Sequence, residues 1–267
     1  MPLSERRIKL TLQYDGAGFA GWQVQPGLRT VQGELEGALS RLADRPTPVL
    51  GAGRTDAGVH ATGQVASAVV PVRWTPEALR RALNAILPPD IWVAAAEEVP
   101  LDFHARYDAV ARGYVYRVGT AERARSPFRR RWCWPLGEPL DGGALGEAAA
   151  RIVGEHSFRA FSKAGQPERG ERCRVWRAEW VPWSGLGYAF RITANRFLHH
   201  MVRYLVGTMV DVARGRRPLS DMDALLAGDA GVETSPPAPP QGLFLTRVHY
   251  SRAEFEREEA SFDEDLP

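Results

Sequence analysis

Cysteine, lysine and long apolar runs are all scarce in this chain of 267 residues. Its two cysteines, Cys133 and Cys173, are too few for a disulfide framework or a cysteine-rich metal cluster, so we interpret them as reduced thiols. No apolar run approaches the length of a membrane span, and residues 1–7 have no signal-peptide pattern. These absences argue against a secreted disulfide-rich domain and an integral membrane protein, and we expect a cytoplasmic protein.

Sequence signatures of nucleotide and metal binding are missing as well. Gly51, Gly53 and Gly58 do not have the spacing of a dinucleotide-binding fingerprint, and no Walker lysine follows them. His199 and His200 lie outside any HExxH or cysteine-rich pattern. On the helix predicted for that region, neighbouring side chains point about 100° apart, so we expect no shared metal site there.

The net charge of +2 conceals an uneven distribution. The stretch from Ser251 to Pro267 holds seven acids and two arginines and so carries −5, which leaves +7 on the body before it. Lys9 and Lys163 are the only lysines, so the positive charge of the body is almost all arginine. Guanidinium groups bind phosphate bidentately and stack on bases, which favours a nucleic-acid partner. A biased genomic base composition would also enrich arginine.

The placement of the arginines favours the nucleic-acid interpretation. One short segment interleaves them with aromatic residues, which suits phosphate contact combined with base stacking. The arginines are Arg106, Arg112, Arg117, Arg123, Arg125, Arg129, Arg130 and Arg131, and the aromatics are Tyr107, Tyr114, Tyr116, Phe128, Trp132 and Trp134. A merely solvated charged loop would have less reason to contain so many aromatic side chains.

Hydrophobic patterning predicts two halves with the same order of elements, strand-helix-strand-strand-helix-strand. The first half has strands over 8–14, around 49, over 64–72 and over 91–99, with helices following Thr30 to residue 43 and from Thr75-Pro76 to residue 87. The second half has strands over 114–118, 174–181, 188–193 and 243–250, with helices over 144–153 and 195–213.

This order predicts an α+β fold built from two ferredoxin-like, RRM-like halves. The halves are expected to form a continuous, mostly antiparallel sheet with flanking helices and a central cleft. We predict an N-terminal half over 1–106, a C-terminal half over 107–250 and an acidic extension over 251–267.

The most informative stretch is Gly53-Arg54-Thr55-Asp56-Ala57-Gly58-Val59-His60-Ala61. Its glycines allow a tight loop that presents one carboxylate outward. Arg54 lies two residues before Asp56, and a nearby cation lowers the pKa of an acid by roughly 1–3 units. An ionised acid on a rigid loop suits a nucleophile or general base. A surface turn in which Asp56 caps the local backbone fits the spacing equally well.

Arg203 is the other charged residue in a notable place. On the predicted helix 195–213 it belongs to a polar stripe, away from both the helix ends and the apolar stripe, so it is able to reach a partner across the cleft. A solvated arginine on an outer helix face is the alternative. The apolar stripe is formed by Leu198, Met201, Leu205, Met209 and Val212.

A series of ordered motifs resembles the tRNA pseudouridine synthase A family over nearly the whole chain, from about Lys9 to Tyr250. The motifs are Tyr14-Asp15-Gly16, Phe19-Ala20-Gly21-Trp22-Gln23, Ala52 to His60 with Thr62-Gly63-Gln64, Asp102-Phe103-His104-Ala105-Arg106, Tyr114-Val115-Tyr116, Asn195, Phe197, His199 to Arg203, and Gly242-Leu243. The departures are small: Gly113 stands where a basic residue is common, and the tail after Ser251 lies outside the pattern.

The resemblance implies a role for five side chains. Asp56 is implied to be the catalytic aspartate, and Arg54 to help hold the flipped-out nucleotide. Tyr114 is implied to stack on the target base, Arg203 to pair with the aspartate, and Leu243 to line the uracil pocket. The resemblance further implies a homodimer without metal or organic cofactor that acts on uridines 38, 39 and 40 of the tRNA anticodon stem-loop.

The chemistry agrees with these implied roles. Uridine becomes pseudouridine when the bond from ribose to N1 breaks and the ring rejoins through C5, which needs a carboxylate but no redox group. The base has to leave a stacked stem, at a cost of a few kcal/mol. Whether Asp56 attacks the sugar, adds to the ring or abstracts a ribose proton stays open.

Two other functions compete with this one. A non-catalytic RNA-binding protein would also expose aromatics on a sheet backed by helices. A glycoside hydrolase would need two acids flanking the scissile bond, and the loop offers one acid and an arginine.

Overall fold

The computed structural model describes residues 5–163, 170–253 and 255, and these residues fall into two compact units. The N-terminal unit comprises the described parts of Met1–Val110 and Leu245–Leu266, and the C-terminal unit those of Ala111–Phe244. Across the described residues the chain forms nine strands and five α-helices, which confirms the predicted α+β class. Most of the predicted acidic extension lies outside the described residues.

The N-terminal unit has the predicted order of strands and helices. Its elements are β1 (Glu5–Tyr14), α1 (Val31–Ala43), β2 (Leu50–Gly51), β3 (His60–Pro71), α2 (Pro76–Ile86) and β4 (Ile91–Val99), and it also receives most of β9 (Leu243–His249). The strands lie in the order β4-β1-β3-β9, and β2 pairs with β3. β1 pairs antiparallel with both β3 and β4. Alternate residues Ile8, Leu10 and Leu12 of β1 are fully buried, as their period of two predicts.

Both helices of this unit begin where the sequence predicts. The Thr30 hydroxyl accepts a hydrogen bond from the Gly33 backbone at 3.2 Å, and the Thr75 hydroxyl accepts one from the Ala78 backbone at 3.3 Å. Pro76 occupies the first turn of α2, where its missing N–H costs nothing. These caps satisfy backbone donors that have no partner inside the helix.

The C-terminal unit carries the remaining elements. They are β5 (Ala111–Gly119), α3 (Gly142–Arg151), β6 (Gly154–Ser157), β7 (Arg172–Trp183), β8 (Gly187–Ala194), α4 (Met201–Ala213) and α5 (Ser220–Ala227), followed by the first residues of β9. The strands lie in the order β5-β8-β7-β6, and each neighbouring pair is antiparallel. The sequence analysis missed β6 and α5, which are four and eight residues long and too short for a clear period.

The predicted start of α4 was wrong by six residues, because the helix begins at Met201 and not at Asn195. His200 has φ +65°, in the left-handed region, so the chain cannot be helical through it. The Asn195 side chain instead accepts a hydrogen bond from the Arg174 backbone of β7 at 2.9 Å. His199 and His200 therefore do not share a helix, and their ring centroids lie 4.1 Å apart. The expectation that these two side chains point about 100° apart on one helix, and so share no metal, therefore does not apply.

β3 begins at His60, four residues before the predicted start, and its backbone approaches β9 closely. A Cβ at Gly63 would lie 1.9 Å from the Thr246 carbonyl oxygen, so only glycine fits there. The end of the glycine-rich loop is consequently part of a strand. Among the described residues, no helix is both long and apolar enough to cross a membrane.

Candidate active site

In the N-terminal unit, the loop that carries Asp56 joins β2 to β3 and is anchored at both ends. The Ala52 backbone N–H donates to the Val65 carbonyl at 2.8 Å, and the Val59 N–H donates to the Asp56 carbonyl at 3.1 Å. The second bond closes a turn, with Gly58 at φ +78°. Glycine adopts that conformation without steric cost, which explains its place in the motif.

The segment after β1 packs against the outer side of this loop. Trp22 donates its backbone N–H to the Thr55 carbonyl at 3.0 Å, and the Gly58 N–H donates to the Phe19 carbonyl at 3.4 Å. A Cβ at Gly21 would lie 2.7 Å from the Thr55 oxygen, and one at Gly16 would lie 2.0 Å from the Val59 oxygen. The segment after β1 and the Asp56 loop are therefore in backbone contact at Gly16 and Gly21, where a side chain would clash.

Polar side chains lie in the interior beneath the loop. The Tyr14 hydroxyl is 2.8 Å from the Thr55 hydroxyl, and Gln64 donates from Nε2 to the Gly53 carbonyl at 2.8 Å. Burial raises the pKa of Tyr14 to about 12, so the phenol is neutral and able to donate at physiological pH. Tyr14, Thr55 and Gln64 are all buried, with Gln64 fully so.

A second group of polar contacts fixes the segment after β1. The His60 Nδ1 accepts a hydrogen bond from the Gly16 backbone at 3.0 Å and lies 3.1 Å from a carboxylate oxygen of Asp15. Arg29 donates to both carboxylate oxygens of Asp90, at 2.7 and 2.9 Å. These contacts tie the segment to the start of β3 and to the start of β4.

Asp56 and Arg54 share this loop but differ in exposure. The Asp56 side chain is half-buried, whereas Arg54 is exposed. A half-buried carboxylate on an anchored backbone is accessible to a ligand and has a defined position.

The C-terminal unit holds Tyr114, which lies on β5 opposite Ile192 of β8. Its side chain is only 7% exposed, and Phe197 packs edge-on against its ring with the centroids 4.9 Å apart. Phe197 belongs to the non-helical stretch before α4. That stretch consequently fixes the orientation of the Tyr114 ring.

Arg203 lies in the first turn of α4 and is half-buried, not mid-helix as predicted. Its Nε donates to the Ala238 carbonyl at 2.8 Å, and the Ala238 N–H donates to the Arg203 carbonyl at 2.9 Å. Tyr116 donates its hydroxyl to the next carbonyl, that of Pro239, at 2.7 Å. These bonds hold the proline-rich loop against α4 and β5.

Leu243 is the first residue of β9 and is 5% exposed. A Cβ on the preceding Gly242 would lie 2.7 Å from the Tyr116 ring, so glycine lets the chain pass close to that ring. Glycine at position 242, directly before Leu243, is therefore required by local packing.

The structure places the five predicted site residues in two sets. Arg54 and Asp56 belong to one loop of the N-terminal unit, whereas Tyr114, Arg203 and Leu243 belong to the C-terminal unit. The sequence analysis gave no role to the buried side chains that support the Asp56 loop. One signal was available for Gln64, since it is a polar residue inside the otherwise largely apolar run of β3.

The arginine-rich, aromatic-rich segment is partly core and partly surface. Tyr116 and Arg117 are almost fully buried, and the Arg117 guanidinium lies 5.0 Å from the Trp183 ring centroid and 5.2 Å from that of Phe244. Burial lowers the pKa of Arg117 to about 10. Including Arg117 in a nucleic-acid surface was therefore wrong.

A short stretch of the same segment carries most of its exposed arginines, and we call this stretch, residues 123–131, the arginine knuckle. Phe128 at its tip is 88% exposed. The arginines of the knuckle are all exposed, and they are Arg123, Arg125, Arg129, Arg130 and Arg131. Cys133, two residues after the knuckle, is a free and buried cysteine, and burial raises the pKa of its thiol to about 11.

Comparison with known proteins identifies extensive similarity. The profile of a family described as tRNA pseudouridine synthase matches residues 11–108 and 148–251. The tRNA pseudouridine synthase A of Moorella thermoacetica is 44% identical over 245 residues, which cover 91% of this chain and 99% of that protein. The enzymes of the same name from Myxococcus xanthus and Cereibacter sphaeroides are also 44% identical, over 91% of this chain and 92% and 96% of their own lengths.

Proposed function

The chain belongs to the tRNA pseudouridine synthase family, and on that premise we propose that it modifies uridines 38, 39 and 40 of the anticodon stem-loop. The chain is an isomerase that converts uridine in tRNA to pseudouridine. The three positions follow from the resemblance of its ordered motifs to the A-type enzymes. We propose further that it works in the cytoplasm as a homodimer.

One observation carries the assignment of Asp56 as the catalytic residue: a half-buried carboxylate stands on a loop that is hydrogen-bonded on both sides. Isomerisation requires a catalytic group that is positioned at the reacting atoms of the nucleoside. Holding that group in a fixed geometry lowers the entropic part of the barrier. Asp56 serves as the nucleophile or base in the proposed reaction.

The other site residues would act on the extruded nucleotide. Tyr114, with its ring held by Phe197, would stack on the target base. Arg203, tied through Nε to the Ala238 carbonyl, would present positive charge at the substrate site, and Leu243 would line the uracil pocket. Arg54 is exposed and would hold the flipped-out nucleotide.

The arginine knuckle supports a contact with the tRNA backbone. Its guanidinium groups are exposed and suited to phosphate oxygens, and Phe128 offers an exposed ring. The knuckle would contribute to tRNA affinity, whereas the Asp56 loop would carry the catalytic group for the isomerisation.

Replacing Asp56 tests the proposed function. We expect Asp56→Asn to bind tRNA but to form no pseudouridine, because the amide is isosteric and is neither a base nor an effective nucleophile. The measurement is pseudouridine mapping at single-nucleotide resolution in a tRNA with uridines at 38, 39 and 40, beside a filter-binding assay. Asp44→Asn is the matched control, since Asp44 is an exposed acid of the same unit whose left-handed conformation suits asparagine.

Three outcomes separate the alternatives. Modification at 38–40 by the wild type and by Asp44→Asn, with none by Asp56→Asn, supports the proposal. Modification at other uridines would contradict the positions. A wild type that binds tRNA without modifying it would point to the non-catalytic RNA-binding protein.

A further inference from the structure

Gln64 is an unusual residue for the centre of a sheet, because it is fully buried and carries a polar amide. Every polar atom of that amide has a partner. Its Oε1 accepts from the Val65 backbone at 3.1 Å, and its Nε2 donates to the Gly53 carbonyl at 2.8 Å. The Gly53 carbonyl requires a donor, so the orientation of the amide is fixed.

The amide also sets the direction of the next hydrogen bonds. Gln64 Nε2 lies 3.4 Å from the Tyr14 hydroxyl, which leaves the proton of that hydroxyl for Thr55 at 2.8 Å. Since burial raises the pKa of Tyr14 to about 12, the proton stays on the phenol throughout the physiological range. The bonds thus run from Gln64 to Tyr14 to Thr55.

These bonds end at two residues on the N-terminal side of Asp56. Gly53 precedes Arg54, and Thr55 directly precedes Asp56. Thr55 makes two hydrogen bonds. Its hydroxyl bonds to Tyr14 at 2.8 Å, and its carbonyl accepts from the Trp22 backbone at 3.0 Å. Little torsional freedom is left in the peptide that carries the Asp56 side chain.

We infer that Tyr14, Thr55 and Gln64 are positioning residues that hold Asp56 in its reactive geometry, an inference that rests on the proposed function. They contact the loop from the interior and act on the reaction through the backbone of Asp56. Their loss should therefore lower the rate of isomerisation and leave tRNA affinity unchanged. A displacement of the catalytic group by a fraction of an ångström is expected to lower the rate by about tenfold, because the rate depends on near-attack geometry.

The first test compares Tyr14→Phe with Tyr250→Phe. Tyr250 belongs to the same unit and donates its hydroxyl to the Ala105 carbonyl at 2.7 Å. Each variant therefore loses one short hydroxyl hydrogen bond, and Tyr14→Phe also loses the longer contact with Gln64 at 3.4 Å. We expect similar losses of thermal stability, but a fall of about tenfold in the single-turnover rate for Tyr14→Phe alone, with the tRNA dissociation constant unchanged.

The second test uses Thr55 and remains informative if Tyr14→Phe does not fold. Thr55→Val removes the hydroxyl at constant shape and should lower the single-turnover rate, whereas Thr55→Ser keeps the hydroxyl and should restore most of it. Gln64→Glu should resemble Thr55→Val, because a carboxylate oxygen would face the Gly53 carbonyl.

The outcomes distinguish this inference from the proposed function. Equal rates for Tyr14→Phe and Tyr250→Phe, or for Thr55→Val and Thr55→Ser, in an enzyme whose wild type is active and whose Asp56→Asn variant is inactive, would overturn the positioning role alone. An inactive wild type would overturn the proposed function. A rise in the tRNA dissociation constant without a change in rate would make the cluster part of tRNA binding and would also overturn the inference.

Discussion

The Asp56 loop and the arginine knuckle are both irregular segments, yet they differ in how far their side chains are exposed. The Asp56 loop is held by backbone hydrogen bonds from Trp22 and Gly58 and by the buried hydroxyls of Tyr14 and Thr55. The knuckle spans two short 3-10 turns and has turn hydrogen bonds of its own, such as that from the Arg129 N–H to the Ser126 carbonyl at 2.9 Å, but its side chains are largely exposed, and Phe128 is 88% exposed. The two segments belong to different units of the chain.

The difference suits the role proposed for each segment. Catalysis by a carboxylate depends on a fixed geometry, since misplacement by about 1 Å costs on the order of 100-fold in rate. Phosphate binding depends mainly on charge at the surface, which tolerates variation in side-chain conformation. A substitution in the loop should therefore change the rate, and one in the knuckle should change the affinity.

The largest combined effect on stability and activity is expected at the contact between Gly16 and Val59. Gly16→Ala would place a methyl group 2.0 Å from the Val59 carbonyl oxygen, so the backbone has to move. We expect a loss of about 1–3 kcal/mol in the free energy of unfolding, as in other overpacked sites, together with a large loss of pseudouridine formation. Urea denaturation and a single-turnover assay measure the two effects.

Gly37→Ala is the control for Gly16→Ala. Gly37 lies within α1, and a Cβ there would have nothing within 4 Å. This variant should gain about 0.5–1 kcal/mol of stability because alanine favours the helix, and it should keep full activity. A Gly16→Ala enzyme as stable and as active as the wild type would remove the evidence for a rigid loop.

Helices and strands of the N-terminal unit are predicted well from the sequence, because capping residues and alternating apolar residues determine them locally. The caps at Thr30 and Thr75 and the alternation in β1 act within a few residues, and all three elements begin or end close to the predicted positions. The false start of α4 has a different origin. The left-handed conformation of His200 interrupts the helix, and the apolar spacing of that stretch gives no sign of it.

The same distinction applies to the candidate site. The Asp56 loop is visible in the sequence because its glycines and its acid are contiguous. The cluster beneath it joins Tyr14, Thr55 and Gln64, which are up to fifty residues apart along the chain and meet only when β1 and β3 pair. Likewise, Arg117 resembles a surface arginine in the sequence until the fold places it between two aromatic rings.

Tyr114 tests whether the C-terminal unit supplies a rigidly held side chain of its own. Tyr114→Ala should lose the stacking contribution of about 1–3 kcal/mol per base, which corresponds to roughly 5- to 150-fold in kcat/KM. Tyr114→Phe should keep most of it, because the ring remains and Phe197 still packs against it. The measurement is kcat/KM on tRNA for both variants. Equal losses would assign the role to the hydroxyl and not to the ring.

The smallest effect is expected in the knuckle, where three neighbouring arginines are exposed. Replacing Arg129, Arg130 and Arg131 by glutamine should weaken tRNA binding by about tenfold at moderate salt and flatten the dependence of log affinity on log salt, because fewer counterions are released. The control replaces Arg80 and Arg81 of α2, in the other unit. The rate at saturating tRNA should stay at the wild-type value in both variants. A lowered saturating rate in the knuckle variant would mean that this segment positions the substrate for reaction, and the contrast with the Asp56 loop would no longer hold.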